Sequence, residues 1–139
     1  MKGTLIVIIA VAVIGAAAWF FLLKDKEAGA EEEKALTAEE VAALSIDTDV
    51  ITTNLASEGH FGIVQFNILL SDEDAKHEAE KRTAEVRAAI ISTVAGFTKE
   101  QLIGKDGIET LEKELFNKLS KIVEHGEVER VLVTEFKVQ

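Results

Sequence analysis

The sequence has no cysteine, no proline and no tyrosine among its 139 residues. The lack of cysteine excludes a disulfide framework, a CxxC redox pair, a thiolate nucleophile and every zinc site that needs a sulfur ligand. Basic residues are also few, because 15 Lys and Arg stand against 25 Asp and Glu, a formal net charge of −10. Proteins bind phosphate backbones through clustered Lys and Arg, so this balance argues against nucleic acid as a partner.

One uncharged run, TLIVIIAVAVIGAAAWFFLL, holds much of the hydrophobic content and extends from Thr4 to Leu23. At about 1.5 Å per residue, a helix of this length crosses a hydrocarbon core of roughly 30 Å. The run therefore predicts a single transmembrane helix. The anchor residues at its two ends are Thr4, Leu5, Ile6, Val7, Ile8 and Ile9, and Trp19, Phe20, Phe21, Leu22 and Leu23.

A cleaved signal peptide is the competing interpretation of this run, because Ala16-Ala17-Ala18 offers small residues for a peptidase. The apolar region of a signal peptide usually spans about 7–15 residues. Here apolar residues continue past the candidate cleavage site through Trp19 to Leu23, which favours an uncleaved anchor. Lysines lie on both sides of the run, so the positive-inside rule does not decide its orientation.

The rest of the chain divides into a linker and one folded domain. Residues 1–3 form a short tail before the span at 4–23, and residues 24–36, KDKEAGAEEEKAL, are too polar to build a packed structure. Residues 37–139 carry 11 basic and 20 acidic residues, a net charge of −9. About 100 residues suffice for one modest hydrophobic core.

The first half of this domain predicts a short helix and a β-hairpin. Thr37-Ala38-Glu39-Glu40 has the spacing of a capping box, which opens a helix. Two runs rich in β-branched residues, Ile46–Leu55 and His60–Leu70, predict two antiparallel strands. One face of the second strand is apolar: Val64, Phe66, Ile68 and Leu70.

The second half predicts two helices and a last strand. Ser71 as a hydroxyl cap opens one long helix with the stripe Ala75, Ala79, Thr83, Val86, Ile90, Val94 and Phe97. After a capping-box turn at Thr98–Gln101, a last helix starts at Asp106 and stops at Gly126, with the stripe Ile108, Leu111, Leu115, Leu119 and Ile122.

The final segment, VERVLVTEFKVQ, predicts a strand. Strict alternation places Leu132, Thr134, Phe136 and Val138 on one face, and Val131 and Val133 on the other. A strand that is apolar on both faces at its start is expected at the centre of a sheet. Together these elements predict an α+β fold.

Four segments occur in order behind the span and the acidic linker: TTNL (Thr52–Leu55), EKRTAEVRAAII (Glu80–Ile91), LIGKDGIETLEKEL (Leu102–Leu115) and VLVTEFKVQ (Val131–Gln139). This arrangement resembles the flagellar basal body-associated FliL family. The chain departs from the family at two points, since Leu132 replaces a common aromatic residue and the long helix lacks an early proline that is common there.

The resemblance implies a stomatin/prohibitin-like domain outside the cytoplasmic (inner) membrane, behind a single-pass anchor and a cytoplasmic tail at residues 1–3. It implies a homo-oligomeric ring around the flagellar stator proteins MotA and MotB that supports torque in swimming or swarming. No enzyme activity, cofactor or small-molecule substrate is implied. The alternative is a membrane-tethered module that binds a soluble ligand or an envelope polymer and has no part in motility.

The residues themselves carry no motif for catalysis. His60, His77 and His125 lack HxxxH or HExxH spacing, and neither GxGxxG nor GxxxxGK[ST] is present. Asp74, His77 and Glu78 share a helical face and could hold a cation, but acids in a first turn also stabilise the helix dipole. We therefore predict no enzyme, no cofactor and no metal site.

Charged residues on two helices are the candidates for contacts between copies. Lys81, Arg82 and Arg87 on the polar side of the long helix are expected to face a neighbour's Glu109, Glu112 or Glu114. The competing interpretation is a solvated helix face with intrahelical pairs, such as Glu78 with Arg82.

Overall fold

Residues 35–139 are described by a computed structural model. The predicted span at Thr4–Leu23, and with it the anchor residues and most of the linker, lies outside the described residues. The described elements are α1 (Ala38–Leu44), β1 (Ser45–Asp47), β2 (Ile51–Asn54), β3 (Phe61–Leu70), α2 (Glu73–Lys81), α3 (Thr83–Val94), a 3₁₀ turn (Glu100–Leu102), α4 (Gly104–Leu119) and β4 (Val128–Val138). This confirms the α+β class for this part of the chain.

None of the helices in residues 35–139 combines the length and the apolar character needed to cross a bilayer. Leu36–Gln139 forms a unit with its own core.

The strand β3 is the centre of an antiparallel sheet. Its first half pairs with β2 and its second half with β1, and β4 pairs along its other edge. The predicted hairpin is confirmed, but its first strand is interrupted. Asp47 lies opposite Asn67 whereas Ile51 lies opposite Val64, so the chain holds one extra residue between β1 and β2. This β-bulge bends the strand, and its Thr48 hydroxyl accepts the N–H of Phe66 at 3.0 Å.

The last strand differs from its prediction in two ways. It is an edge strand, because its only strand partner within the described residues is β3. A second bulge also places Thr134 as an extra residue, since Val133 pairs with Phe66 and Glu135 with Gln65. An extra residue reverses the alternation of side chains, so Val133 and Phe136 both pack on the core. Leu132 is left 38% exposed on the opposite face.

The predicted long helix is two helices. It breaks at Arg82, whose backbone angles of φ −95° and ψ 30° leave the α region, and Thr83 is exposed instead of belonging to the buried stripe. The Thr83 hydroxyl donates to the carbonyl of Glu80, a local bond that competes with regular helix geometry. The cap is also not Ser71, because the carboxylate of Asp72 accepts the N–H of Ala75 at 2.9 Å.

The last helix begins and ends earlier than predicted. It starts at Gly104, directly after the confirmed capping-box turn, in which Thr98 and Gln101 exchange backbone-to-side-chain bonds of 2.9 and 3.3 Å. It ends at Leu119, and Gly126 instead occupies the turn before β4 with φ +82°. A side chain at that turn would lie 2.7 Å from the methyl group of Ala75. The close packing of this turn against Ala75 therefore explains why residue 126 is a glycine.

The core lies between one face of the sheet and helices α3 and α4. The predicted stripe of β3 is buried, with Val64, Phe66 and Leu70 at 0% exposure. It packs in one cluster with the predicted helix residues Ile90, Val94, Leu111, Leu115 and Leu119. Close approach of the 3₁₀ turn to α4 requires Gly107, because a Cβ there would lie 2.4 Å from the carbonyl oxygen of Gln101.

Candidate interaction surface

The described residues do not bring metal-binding groups together. Within residues 35–139, no group of three or more His, Asp or Glu side chains could hold a metal ion. The predicted cation candidate, Asp74 with His77 and Glu78, divides between two sets of contacts. His77 lies 3.4 Å from Glu80, whereas Glu78 contacts Arg82 and His125. Glu78 is held in ion pairs, and Asp74 lies in the first turn of α2, where an acid stabilises the helix dipole.

One charged cluster joins the break between α2 and α3 to the turn before β4. We call it the Arg82 cluster, and its members are Glu78, Arg82, Glu85, Glu124 and His125. The guanidinium of Arg82 lies 3.0 Å from Glu78, 3.1 Å from Glu124 and 3.5 Å from Glu85. The second carboxylate oxygen of Glu78 accepts the backbone N–H groups of Glu124 and His125 at 3.0 and 2.8 Å. The cluster thus fixes the turn against the helices.

The Glu78 carboxylate is the most protected acid of this cluster, with 11% of its side chain exposed. The hydrogen bond from the His125 N–H lowers the pKa of Glu78, and the bond from Glu124 and the charge of Arg82 act in the same direction. Partial burial opposes this lowering of the pKa but does not reverse it. Glu78 therefore carries its charge in the folded protein at neutral pH.

The six residues predicted for contacts between copies differ in the ion pairs and hydrogen bonds that they form within their own chain. Arg82 binds three carboxylates of its own chain, Glu112 accepts the backbone N–H of Val133 at 2.8 Å, and Glu109 pairs with Lys105 at 3.3 Å. The remaining three are exposed and form no ion pair within residues 35–139: Lys81, Arg87 and Glu114. The i,i+4 pair of Glu78 with Arg82 is present, as the competing interpretation expects.

A groove of about 240 Å³ lies where the bulge between β1 and β2 faces α2 and α3. We call it the bulge groove. Six apolar side chains line its interior: Ile46, Ile51, Ile68, Ala79, Val86 and Ile90. Its polar lining consists of Asp47, Thr48, Asp49, Glu80, Thr83 and Arg87. Sequence reasoning missed this groove, because it forms only where the strand bulge and the helix break lie opposite each other in the folded domain.

Comparison with known proteins gives two concordant results. Residues 46–139 match the family described as "Flagellar basal body-associated protein FliL". The match begins at the second residue of β1 and ends after β4, so it includes β2, β3, β4 and helices α2 to α4 completely. The chain is also 39% identical over 128 residues to "Flagellar protein FliL" of Bacillus subtilis (strain 168). The aligned region covers 91% of this chain and 87% of that protein. The chain therefore belongs to the FliL family of flagellar basal body-associated proteins.

Proposed function

We propose that this protein forms a homo-oligomeric ring around the stator proteins MotA and MotB and supports torque generation in swimming or swarming. Membership of the FliL family carries the proposal, since it gives the flagellar basal-body role directly. A mechanical role needs a rigid scaffold and no catalytic group. The described domain supplies one central sheet with helices packed on it.

The proposal includes a single-pass anchor at Thr4–Leu23 in the cytoplasmic membrane and a stomatin/prohibitin-like domain outside the cytoplasm. The anchor matters for assembly because each domain carries a net charge of −9 and neighbours repel. Confinement to a membrane raises the effective concentration of subunits, so subunits can associate through weak contacts. The isolated domain is accordingly expected to associate weakly.

We place the charged part of the subunit contact between the α2–α3 face of one copy and the α4 face of the next. Lys81 and Arg87 are exposed on the first face and Glu114 on the second, each without an ion pair among the described residues. Arg82 is instead held by its own chain. Contacts between exposed charges weaken as salt rises, so assembly should be salt-sensitive.

Amine-reactive cross-linking of the full-length protein in native membranes tests the ring. The proposal expects a ladder beyond the dimer and adducts that contain MotB. Charge reversal by Lys81→Glu with Arg87→Glu should weaken the ladder, whereas the matched control Lys121→Glu should leave it unchanged. A protein that stays monomeric in membranes would instead favour the tethered module that binds a ligand or envelope polymer.

Protease treatment of spheroplasts tests the topology. With the domain outside the cytoplasm, residues 37–139 should be digested in intact spheroplasts. Protection of this segment until lysis would reverse the topology.

A further inference from the structure

The end of β4 leaves its outer edge without a strand partner among residues 35–139. Gln139 and Phe61 exchange two backbone hydrogen bonds of 2.8 and 2.9 Å, so the backbone groups of Gln139 point toward β3. In an antiparallel pair these groups alternate between the two sides of the strand. The N–H and C=O groups of Phe136 and Val138 therefore point away from β3, toward the open edge. Unpaired backbone groups in such a row are a template for a further strand.

The chain protects this edge only as far as the bulge. Glu112 accepts the N–H of Val133 at 2.8 Å, and the extra residue Thr134 interrupts the strand next to it. Charged side chains at an edge and bulges that bend it are devices by which proteins prevent edge-to-edge pairing. Both devices lie before Glu135, so residues 135–138 are the part of the edge that can accept a partner.

Apolar side chains beside this edge are accessible. Val64 of β3 is 0% exposed, but its partner on β4, Phe136, is only partly buried, and so is Val138, the next residue of β4 on the core face. Both side chains pack against the core and keep part of their surface in solvent. A strand added at this edge would bury them further, which is favourable because apolar surface leaves water.

The two charged residues at this edge suit a second copy of the same strand. Glu135 and Lys137 lie on the face opposite the core, where the Nζ atom of Lys137 is 2.6 Å from a carboxylate oxygen of Glu135. Their neighbours on β3, Gln65 and Ile63, are uncharged. The whole of β4 has two acids and two bases, a net charge of zero within a domain of −9. Two copies therefore repel each other less at this edge than over the rest of the domain.

Antiparallel pairing about Phe136 brings these charges together. When Phe136 lies opposite Phe136 of a second copy, Glu135 of each copy lies opposite Lys137 of the other. Opposite charges at directly opposed positions stabilise a strand pair, whereas like charges destabilise it. A parallel pair in register would place Glu135 opposite Glu135 and Lys137 opposite Lys137. The charges therefore favour the antiparallel pair.

We propose that the β4 edges of two copies of this chain pair in antiparallel orientation, with Phe136 on the two-fold axis. The two Phe136 side chains contact each other on the core face, and Glu135 binds Lys137 of the other copy on the opposite face. Both copies use the same surface, so the contact closes at two. It goes beyond the proposed function, because it is separate from the contact between helix faces that forms the ring. The paired stretch is short, so pairing occurs mainly when copies are confined to a membrane.

Disulfide trapping between two differently tagged full-length copies tests this contact, because the chain has no cysteine of its own. One copy carries Glu135→Cys and the other Lys137→Cys, whose Cβ atoms would lie about 4.5–5.5 Å apart, close to the span of a disulfide. Oxidation of native membranes should link the two tags. The matched control replaces Glu135→Cys by Leu132→Cys, which is similarly exposed but lies before the bulge, and should give no link. A link from Thr52→Cys on β2 instead would show that β4 pairs with the other edge of the sheet, which overturns the proposal.

Charge reversal at the second charge pair checks the register. In the trapped copies, Glu135 of the copy with Lys137→Cys still lies opposite Lys137 of the other. Adding Glu135→Lys to that copy should lower the disulfide yield about fivefold, because two lysines then oppose each other. Adding Lys137→Glu to the copy with Glu135→Cys should restore the yield. The matched control Glu129→Lys, at an exposed acid of β4 before the bulge, should leave the yield unchanged.

The outcomes separate this contact from the ring. The side chains of Glu135 and Lys137 are 33% and 62% exposed, so the thermal midpoints of the variants should stay close to the parent's. No disulfide between the two tagged copies, with the amine-cross-linked ladder of the parent intact, overturns this contact and leaves the ring standing. A disulfide yield that charge reversal does not change overturns the register. A charge-sensitive disulfide without an amine ladder in the parent overturns the ring and leaves this contact standing.

Discussion

Truncation of Leu115 to alanine should strongly destabilise the domain. Leu115 is 0% exposed in α4 and belongs to the cluster that joins the helices to β3. Deleting a fully buried leucine side chain costs about 2–5 kcal/mol, because transfer energy is lost and a cavity remains. For a domain of this size each kcal/mol shifts the midpoint by about 4–8 °C, so Leu115→Ala should lower it by roughly 8–40 °C.

Urea and thermal unfolding of the full-length protein measure this change. Circular dichroism is the suitable signal, since the only tryptophan, Trp19, lies in the N-terminal run outside the domain. Leu132→Ala is the matched control, because it deletes the same atoms at a residue that is 38% exposed. The control should stay within about 1 kcal/mol of the parent.

The urea dependence checks that the comparison is valid. The slope of the unfolding free energy against urea should be unchanged in both variants, which shows that the same surface is exposed on unfolding. Equal midpoints for Leu115→Ala and Leu132→Ala would refute the placement of the α4 stripe in the core.

Three further predictions concern backbone packing, pH and processing. Gly107→Ala should lower the free energy of unfolding by about 1–3 kcal/mol, because the added Cβ would lie 2.4 Å from a carbonyl oxygen. Gly96→Ala, whose Cβ would lie 3.3 Å from a carbonyl oxygen, should lower it less, and thermal melts measure both changes. The pKa of Glu78 is lowered in the folded protein, so the stabilisation that its charge provides is complete above the ordinary glutamate pKa and is lost as the pH falls through the lowered pKa. Glu78→Gln should therefore make the free energy of unfolding less dependent on pH in the acid range. Mass spectrometry of the membrane-extracted protein should find the run Thr4–Leu23 retained, and a mature N-terminus at Trp19 or Glu31 would show cleavage.

Local signals predicted much of the fold. The capping boxes of Thr37 with Glu40 and of Thr98 with Gln101 both form, because each satisfies its own backbone donors within four residues. The apolar face of β3 is buried as its alternation predicts. Features that depend on residues close in sequence could therefore be predicted from the sequence.

The bulges could not be read in the same way. Thr134 is an extra residue only because Val133 and Glu135 pair with consecutive residues of β3. Nothing in the segment VLVTEFKV marks that register, so strict alternation gave the wrong faces. The register of a strand depends on its partner and on the buried face.

The candidate surface shows the same division between local and distant contacts. The pair of Glu78 with Arg82 follows from i,i+4 spacing. The bond from the His125 N–H to Glu78 spans 47 residues and depends on the turn that follows α4. The bulge groove likewise requires a strand bulge and a helix break to face each other. No local sequence pattern predicts that these two elements lie close together.

Deletion of the gene in the organism of origin tests whether this FliL-family protein supports stator-driven motility. Swimming and swarming should be measured together with filament number, and compared with a strain complemented by the full-length chain. We expect reduced motility with filaments still assembled, and recovery on complementation. Unchanged swimming and swarming in the deletion strain would contradict it.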